Sequence, residues 1–389
     1  MTKFCPWPAY TQEEADAVSR VLLSNKVNYW TGTECREFEK EFADWIGCNY
    51  AVAMANGTLA LDVALKALEI GVGDEVITTP RTFLATASSI VNSGARPVFA
   101  DVDLNSQNIT AKTIEPALTE RTKAVVVVHL AGMPAEMDEI MELSKQHGFY
   151  VIEDCAQAHG AKYRGRSVGT IGHIGAWSFC QDKIMTTGGE GGMVTTNDKE
   201  LWSRMWSYKD HGKSYEAVYE RNHPPGFRWL HESFGTNWRM TEIQAVIGRI
   251  QIKKMSEWTK IRQRNADILN SAVCDIPLIR TVEVPHYLEH AEYKHYMFIR
   301  PELLHQCWSR DRIIEEIQAL GGAVYQGSCS EVYLEKAFES TSFRPEVRLD
   351  NAIELGETSL MFLVHPTIDS EEITQMSSII RSVFLRAQK

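Results

Sequence analysis

A lysine and an aspartate of this sequence stand beside predicted strand ends, where together they could hold an aldehyde cofactor. Asp154 closes the apolar run VIED, and Lys183 comes just after the run GAWSFC, which contains Ser178. A lysine there can form a Schiff base with an aldehyde, and a carboxylate can keep a pyridine nitrogen protonated. The turn NGT at 56–58 offers backbone N–H groups for a phosphate. The combination indicates a site for pyridoxal phosphate.

Each of these residues also has a simpler interpretation. A strand-end aspartate commonly caps a helix, a lone lysine is commonly a solvated surface residue, and NGT is an ordinary turn. We interpret the histidines near these residues as structural side chains with hydrogen-bond partners; they are at positions 129, 159, 211, 223 and 231. The cofactor site therefore depends on the combination and not on any single residue.

Alternating strand and helix patterns would bring the two residues to one edge of a sheet. Helical patterns at 59–70 and 135–148 separate short apolar runs, and these runs predict strands at 50–55, 74–79, 96–100, 123–130, 149–155, 175–180 and 192–196. Strands that are apolar throughout indicate a mostly parallel sheet that helices cover on both faces. Ligands of such sheets bind at the carboxyl ends of the strands.

The second half of the chain predicts a smaller domain. Residues 209–238 lack periodicity and predict a long functional loop, and a helix from Met240 follows it. We predict an α/β fold in which a large domain, residues 1–270, has a mostly parallel sheet sandwiched by helices. Residues 271–389 would form the smaller C-terminal α/β domain.

Composition excludes several classes of protein. The 389 residues are 44% hydrophobic, which suffices for a core, and their formal charge of −11 argues against coating nucleic acid. No apolar run approaches the roughly 20 residues that span a bilayer, and MTKFCPWPAY lacks the apolar segment of a secretion signal. Eight scattered cysteines are typical of free thiols. We expect a cytoplasmic protein with no nucleic-acid or membrane partner.

One long stretch resembles a known family. EDCAQAHGAKYRGRSVGTIGHIGAWSFCQDKIMTTGGEGGMVTTND, at 153–198, resembles the signature of the DegT/DnrJ/EryC1/StrS family of sugar aminotransferases. Further segments resemble the family in the same order, at 28–47, 56–61, 78–103, 129–140 and 235–251. Two features depart from the family pattern: TTGGEGG has one extra glycine, and Arg81 stands where Ala-Tyr-like residues are expected.

The resemblance implies an aspartate-aminotransferase-like fold, fold type I of the pyridoxal phosphate enzymes, and a role for each site residue. Lys183 would bind the cofactor and move the proton, and Asp154 would pair with the pyridine nitrogen. The other cofactor contacts would be Gly57, Thr58 and Ser178 to the phosphate, Phe83 to the ring face, Gln157 to the ring hydroxyl, and Asn237, supplied by the neighbouring subunit, to the phosphate. Candidates for substrate binding are Arg81, His211 and Arg239.

The family resemblance also implies the reaction and the assembly. An amino group would pass from L-glutamate to a nucleotide-linked keto sugar, and our best hypothesis is C4 of a UDP-linked 4-keto-6-deoxy-2-acetamido sugar for O-antigen, lipopolysaccharide or other glycan biosynthesis. A 3-keto sugar is the alternative. We expect a homodimer with shared active sites, in which Phe227, Trp229 and Trp238 pack against the partner.

Other functions fit the sequence less well. Some relatives dehydrate sugars and carry histidine in place of the lysine, so Lys183 favours amino transfer. His286, Glu289 and His290 match the inverted zinc-protease motif H-x-x-E-H, but Pro285 and a following strand leave little room for its helix. A nucleotide-binding loop ending at Gly212-Lys213-Ser214 lacks its first glycine. A non-enzymatic regulator with this fold would not need the intact site.

The loop at 209–239 has two interpretations that the sequence does not separate. Its basic residues, which are Lys213, Arg221, Arg228 and Arg239, could bind a diphosphate, or they could be a solvated face.

Overall fold

The computed structural model describes residues 5–223, 225–226 and 228–389. The described α-helices are α1 (Gln12–Leu23), α2 (Glu34–Ile46), α3 (Gly57–Ala67), α4 (Leu84–Ser93), α5 (Ala111–Ile114), α6 (Met137–His147), α7 (Lys199–Lys209), α8 (Tyr215–Tyr219), α9 (Glu242–Val273), α10 (Arg310–Ala319), α11 (Asp350–Thr358) and α12 (Ser370–Ala387). Short 3-10 helices lie at Glu115–Ala117, Leu130–Gly132, Pro301–Leu303, Val332–Leu334 and Lys336–Phe338.

The strands fall into three sheets. They are β1 (Tyr50–Met54), β2 (Glu75–Thr78), β3 (Arg96–Phe99), β4 (Thr122–Val128), β5 (Tyr150–Asp154), β6 (Lys162–Tyr163), β7 (Arg166–Ser167), β8 (Ile174–Ser178), β9 (Gly192–Thr196), β10 (Ile279–Thr281), β11 (Leu288–Glu289), β12 (His295–Ile299), β13 (Val324–Tyr325) and β14 (Ser359–Phe362). Among the described residues, seven strands form the central sheet in the order β1-β9-β8-β5-β4-β2-β3.

The central sheet is mostly parallel, as predicted. The pairs from β8 through β5, β4 and β2 to β3 are parallel, whereas β9 runs antiparallel to both of its neighbours, β1 and β8. Side chains of β4 alternate between two cores: Ala124 and Val126 pack on the side of α3, and Val125 and Val127 pack on the side of α6. Because both faces are covered, the strand reads as continuously apolar in the sequence.

The C-terminal region has a sheet of its own. Its strands lie in the order β10-β12-β14-β13, and all of their described pairs are antiparallel. The long helix α9, which begins at a capping box of Thr241 and Gln244, runs from the region of the central sheet into this second core. A small third sheet joins β6 and β7 to β11 and so links the two regions. The division at residue 270 stays a prediction.

The predicted strands and helices are present, and the structure adds further elements, among them α4, α8 and the small sheet of β6, β7 and β11. Thr11 and Glu14 form a capping box at the start of α1, and the left-handed Gly47 follows α2. The loop predicted at 209–238 contains the short helix α8, whose first turn Ser214 caps through the backbone N–H of Ala217. Phe227 lies outside the described residues. Within the described part of the chain, no helix has the length and apolar character needed to cross a membrane.

Candidate active site

A single cavity of about 1220 Å³ lies at the carboxyl ends of the parallel strands. It brings together most of the predicted cofactor residues, and its walls include Gly57, Thr58, Phe83, Asp154, Gln157, Ser178 and Lys183. These residues follow or end β1, β2, β5 and β8. Because parallel strands end at the same edge of a sheet, residues more than a hundred positions apart meet there.

Asp154, the last residue of β5, presents a buried carboxylate to this cavity. Its Oδ2 accepts a hydrogen bond from Thr86 Oγ1 at 2.9 Å, and its Oδ1 accepts one from the backbone N–H of Ala156 at 3.1 Å. Burial raises the pKa of Asp154 above its usual value although both hydrogen bonds oppose that rise. A cationic group beside Asp154 would compensate the buried charge, which fits a protonated pyridine nitrogen.

Behind Asp154 lies a buried pair of Glu153 and His129. His129 Nε2 is 2.9 Å from Glu153 Oε2, and His129 Nδ1 accepts the backbone N–H of Ala135 at 3.1 Å. Since Nδ1 is an acceptor, the proton of the ring lies on Nε2 and points at Glu153. Glu153 also accepts backbone N–H groups of residues 169, 171 and 172. The pair fixes β5 to its neighbours directly behind the site.

The start of α3 and Ser178 form a cradle suited to a phosphate. Asn56 caps α3 by accepting the backbone N–H of Leu59 at 3.0 Å, which leaves the first N–H groups of the helix facing the cavity. A Cβ atom at Gly57 would lie 2.5 Å from Ser178 Cβ, so only glycine permits this close approach. Helix N-termini favour anions, and the serine hydroxyl adds a further donor.

Phe83 and Gln157 suit the face and the edge of an aromatic cofactor ring. Phe83 is 72% exposed although it is a large apolar side chain, and it lines the cavity just before α4. Gln157 uses its side-chain oxygen to accept the backbone N–H of Ala131 at 2.7 Å, which leaves its amide NH₂ as a donor. The donor set and the glycine cradle together fit pyridoxal phosphate.

Lys183 lies in the turn after β8. Its Nζ is 5.1 Å from the centroid of the Tyr293 ring, and its backbone carbonyl accepts the indole N–H of Trp7 at 2.8 Å. The neighbouring carboxylate of Asp182 accepts a hydrogen bond from the Tyr293 hydroxyl. Burial tends to raise the pKa of Asp182, but the charge of Lys183 and this hydrogen bond outweigh it and lower the pKa.

Comparison with known proteins identifies the family. Residues 8–381 match the DegT/DnrJ/EryC1/StrS aminotransferase family. The chain belongs to this family. The X-ray structure of an aminotransferase from Psychrobacter cryohalolentis is 62% identical, with a TM-score of 0.98, over 99% of this chain and 100% of that chain.

Two curated relatives are also similar. A UDP-N-acetyl-3-dehydro-alpha-D-glucosamine 3-aminotransferase of Acidithiobacillus ferrooxidans is 35% identical over 92% of this chain and 91% of its own length. GDP-perosamine synthase of Escherichia coli O157:H7 is 40% identical over 67% of this chain and 68% of its own length. This protein is thus a pyridoxal phosphate-dependent aminotransferase of fold type I, as predicted.

The predicted substrate residues do not line the cavity of this chain. Arg81 is fully buried, and its Nε donates to Gln107 at 3.0 Å while its guanidinium lies 5.4 Å from the Tyr296 ring centroid. His211 is exposed in a left-handed turn. Arg239 Nη1 is 2.7 Å from Asp210 Oδ1. The role of the three residues in substrate binding stays a prediction.

The basic loop is also more neutral than its sequence suggests. Lys213 pairs with Asp210 at 2.8 Å, and Arg221 pairs with Glu232. Together with the pairing of Arg239, these contacts leave Arg228 as the exposed loop arginine with no ion pair among the described residues. Asn237, the predicted contact to a partner's phosphate, is exposed and lies outside this chain's cavity. Its role stays a prediction.

The structure does not support a zinc protease. Glu289 belongs to the strand β11, where it pairs with Lys162, and His290 lies beside Glu292, so the H-x-x-E-H match forms no helix. The group of described residues with metal-ligand spacing is instead His129, Glu153 and Cys155. All three are buried, and His129 and Glu153 already satisfy each other.

Several cavity residues were not found from the sequence. Thr86 holds Asp154 from α4, and the C-terminal region adds Tyr293, Lys294, Tyr296 and Ser328 to the walls. The sequence offers no specific signal for these residues, although the pattern YKHYMFIR at 293–300 predicts a strand, because the resemblance to the family is looser in the C-terminal part.

Proposed function

We propose that this aminotransferase moves the amino group of L-glutamate to a nucleotide-linked keto sugar. The observation that carries the proposal is the meeting of Lys183 and Asp154 in one cavity with the phosphate cradle. The cavity exceeds the range of about 300–1,000 Å³ that is usual for one small-molecule ligand, so a cofactor and part of a substrate can share it. The names of the two curated relatives support nucleotide sugars as the substrate class.

Each of the predicted site residues has a separate role in the proposed reaction. When bound, pyridoxal phosphate supplies an electron-withdrawing ring that stabilises negative charge at the reacting carbon. Lys183, as a free amine, would take the α-proton of the donor on Nζ and, in the second half of the reaction, would deliver a proton to the former carbonyl carbon of the acceptor sugar. Asp154 would stay anionic beside the ring nitrogen, while Gly57, Thr58 and Ser178 would hold the phosphate. Phe83 would lie against the ring, and Gln157 would donate to its hydroxyl.

For the acceptor we propose C4 of a UDP-linked 4-keto-6-deoxy-2-acetamido sugar, in cytoplasmic synthesis of precursors for O-antigen, lipopolysaccharide or another surface glycan. Amination at C3 is the second candidate. The 35% identity to a 3-aminotransferase is the observation that supports this second candidate. Incubating the holoenzyme with L-glutamate and a panel of keto nucleotide sugars tests both. Product mass identifies the sugar, and NMR identifies the aminated carbon. Failure to aminate any member of the panel would contradict the proposed function.

We further propose a homodimer that shares its active sites. Trp229 and Phe234 of the long loop are 87% and 99% exposed, and Asn237 is exposed as well, whereas Trp238, also predicted at the interface, packs on Tyr208 of its own chain. Burying two such aromatic side chains against a second copy would stabilise the dimer. An isologous contact would bring Asn237 of each subunit to the partner's site.

A further inference from the structure

A second cavity lies beside the active site, under the N-terminal segment. Residues 5–10 are here called the N-terminal strap, and its first residues, Cys5, Pro6 and Trp7, line this cavity of about 440 Å³. The strap is fixed by Trp7 on the Lys183 carbonyl and by Thr367 Oγ1, which donates to the carbonyl of Pro6 at 3.0 Å. The two cavities meet at shared wall residues, which are Asp182, Lys294, Tyr325 and Leu363.

Acidic side chains outnumber basic ones in the walls of the main cavity. The charged residues of the described chain that line the main cavity are Asp154, Asp182, Lys183, Glu190, Lys294 and Glu335. Lys183 is committed to the chemistry, so Lys294 is the cation that remains for an anionic substrate. Both substrates of the proposed reaction are anions. The position of Lys294 therefore decides which of the two it can bind.

Lys294 forms no direct ion pair with a described residue, although the charge of the Asp182 carboxylate nearby partly offsets the effect of burial on the pKa of Lys294. Its Nζ lies 4.8 Å from the centroid of the Tyr293 ring. Burial lowers the pKa of Lys294 to about 8, so the amine still carries its charge near neutral pH. A half-buried cation that has no direct ion pair is stabilised when a carboxylate binds it with a charge-assisted hydrogen bond.

The geometry favours the amino donor over the nucleotide. Lys183 and Lys294 both contact the ring of Tyr293, at 5.1 and 4.8 Å from its centroid. The two amines therefore lie around one ring, and this arrangement supports a donor that reacts at Lys183 and has a carboxylate near Lys294. The strap cavity is near the lower end of ligand-pocket volumes, about 300–1,000 Å³, which suits a five-carbon diacid better than a nucleoside diphosphate.

We propose that Lys294 binds a carboxylate of the amino-acid donor at the junction between the main cavity and the strap cavity. This inference rests on the proposed function, since it takes a dicarboxylic amino acid as the donor. Lys294 thereby distinguishes the donor from a neutral amine and orients its amino group toward Lys183.

Glutarate binding to the holoenzyme, measured by calorimetry, tests the proposal without turnover. Lys294→Met should weaken glutarate binding by about tenfold to a hundredfold, the cost of losing a hydrogen bond to a charged group. Lys294→Arg should retain most of the affinity, and Lys145→Met, which removes an exposed lysine of α6, should retain all of it. The KM for L-glutamate should rise in parallel with little change in kcat.

UDP, titrated in the same way, separates the two anions. Unchanged UDP affinity in Lys294→Met supports a donor site, whereas loss of UDP affinity with intact glutarate binding overturns it. Lys294→Gln is a second neutral variant, and unchanged glutarate affinity in either folded variant also overturns the proposal. The proposed function fails separately, if wild-type holoenzyme aminates no keto nucleotide sugar.

Discussion

The indole N–H of Trp7 donates a hydrogen bond to the backbone carbonyl of Lys183, with 2.8 Å between Trp7 Nε1 and the oxygen. The Trp7 ring also lies edge-on to Trp258 and over the buried guanidinium of Arg262. Burial lowers the pKa of Arg262 to about 9, which still leaves the guanidinium charged near neutral pH. The N-terminal strap thus fixes the backbone of Lys183, the proposed reactive amine.

Replacing Trp7 with Phe should loosen this turn while keeping an aromatic ring. We expect a loss of about 0.5–1.5 kcal/mol in the free energy of unfolding, measured with urea. A misplaced lysine should also lower kcat by about tenfold. Trp258→Phe is the matched control, because Trp258 touches the same ring without bonding to Lys183. Equal kcat in both variants would show that the hydrogen bond does not position the lysine.

Asp154→Asn should raise the stability of the apoenzyme and lower the kcat of the holoenzyme. Burial raises the pKa of Asp154. The folded apoenzyme therefore loses stability as pH rises through that raised value, because the buried carboxyl group becomes charged. The variant apoenzyme should therefore unfold at a higher urea concentration than wild type at pH 7. This advantage should vanish below the usual pKa of 3.8, where Asp154 is protonated in both states.

The same variant should lose about a hundredfold to a thousandfold in kcat, because a neutral amide cannot stabilise a charged ring nitrogen. Steady-state kinetics measures this loss. Wild-type turnover in Asp154→Asn would remove Asp154 from the mechanism.

Gly57→Ala should damage the phosphate cradle, since its Cβ would lie 2.5 Å from Ser178 Cβ. Overpacking of about 1–3 kcal/mol should weaken cofactor binding by about tenfold to a hundredfold, measured by titration of the visible absorption band. Gly71→Ala is the control, because the nearest atom to its Cβ would be the Ser93 carbonyl oxygen at 3.6 Å. Unaltered affinity in Gly57→Ala would place the phosphate elsewhere.

Glu153→Gln should destabilise the fold by about 3–5 kcal/mol, because it breaks a buried charged network. Burial would raise the pKa of Glu153, but the hydrogen bond from His129 and those from backbone N–H groups lower it below 4.5. The stabilisation is therefore present above pH 4.5 and is lost as pH falls through the lowered pKa.

Urea unfolding across this pH range measures the effect, and the difference from wild type should shrink with acid. Glu289→Gln, which removes an exposed partner of Lys162, should cost less than about 1 kcal/mol. A similar loss in both variants would contradict a special role for the buried pair.

Subunit mixing tests the shared active site. Lys183→Ala and Asn237→Ala should each be inactive alone, and a verified exchange of equal amounts should restore about a quarter of wild-type activity. Each mixed dimer would have one site with both Lys183 and Asn237 intact. A monomer by sedimentation, or no recovery after exchange, would exclude a shared site.

The sequence by itself determined the central sheet and the residues predicted to contact the cofactor. Continuous apolar strands such as β4 reflect burial on both faces, and strand ends such as Asp154 follow from that pattern. The antiparallel direction of β9 was not predictable, because local hydrophobicity does not encode the direction of a strand. Lys183, Gln157 and Ser178 were placed by a motif contiguous in the chain, and the structure brings them to one cavity.

Only the tertiary structure decided the remaining contacts. The hydrogen bond of Trp7 to Lys183 joins residues 176 positions apart, and Thr86 meets Asp154 across 68 positions. Lys294 reaches the cavity through packing of the C-terminal region, and Arg239 is neutralised by Asp210. Such contacts depend on how distant elements pack. They leave no periodicity or local spacing in the sequence, whereas a strand or a helix cap is specified by its neighbours in the chain.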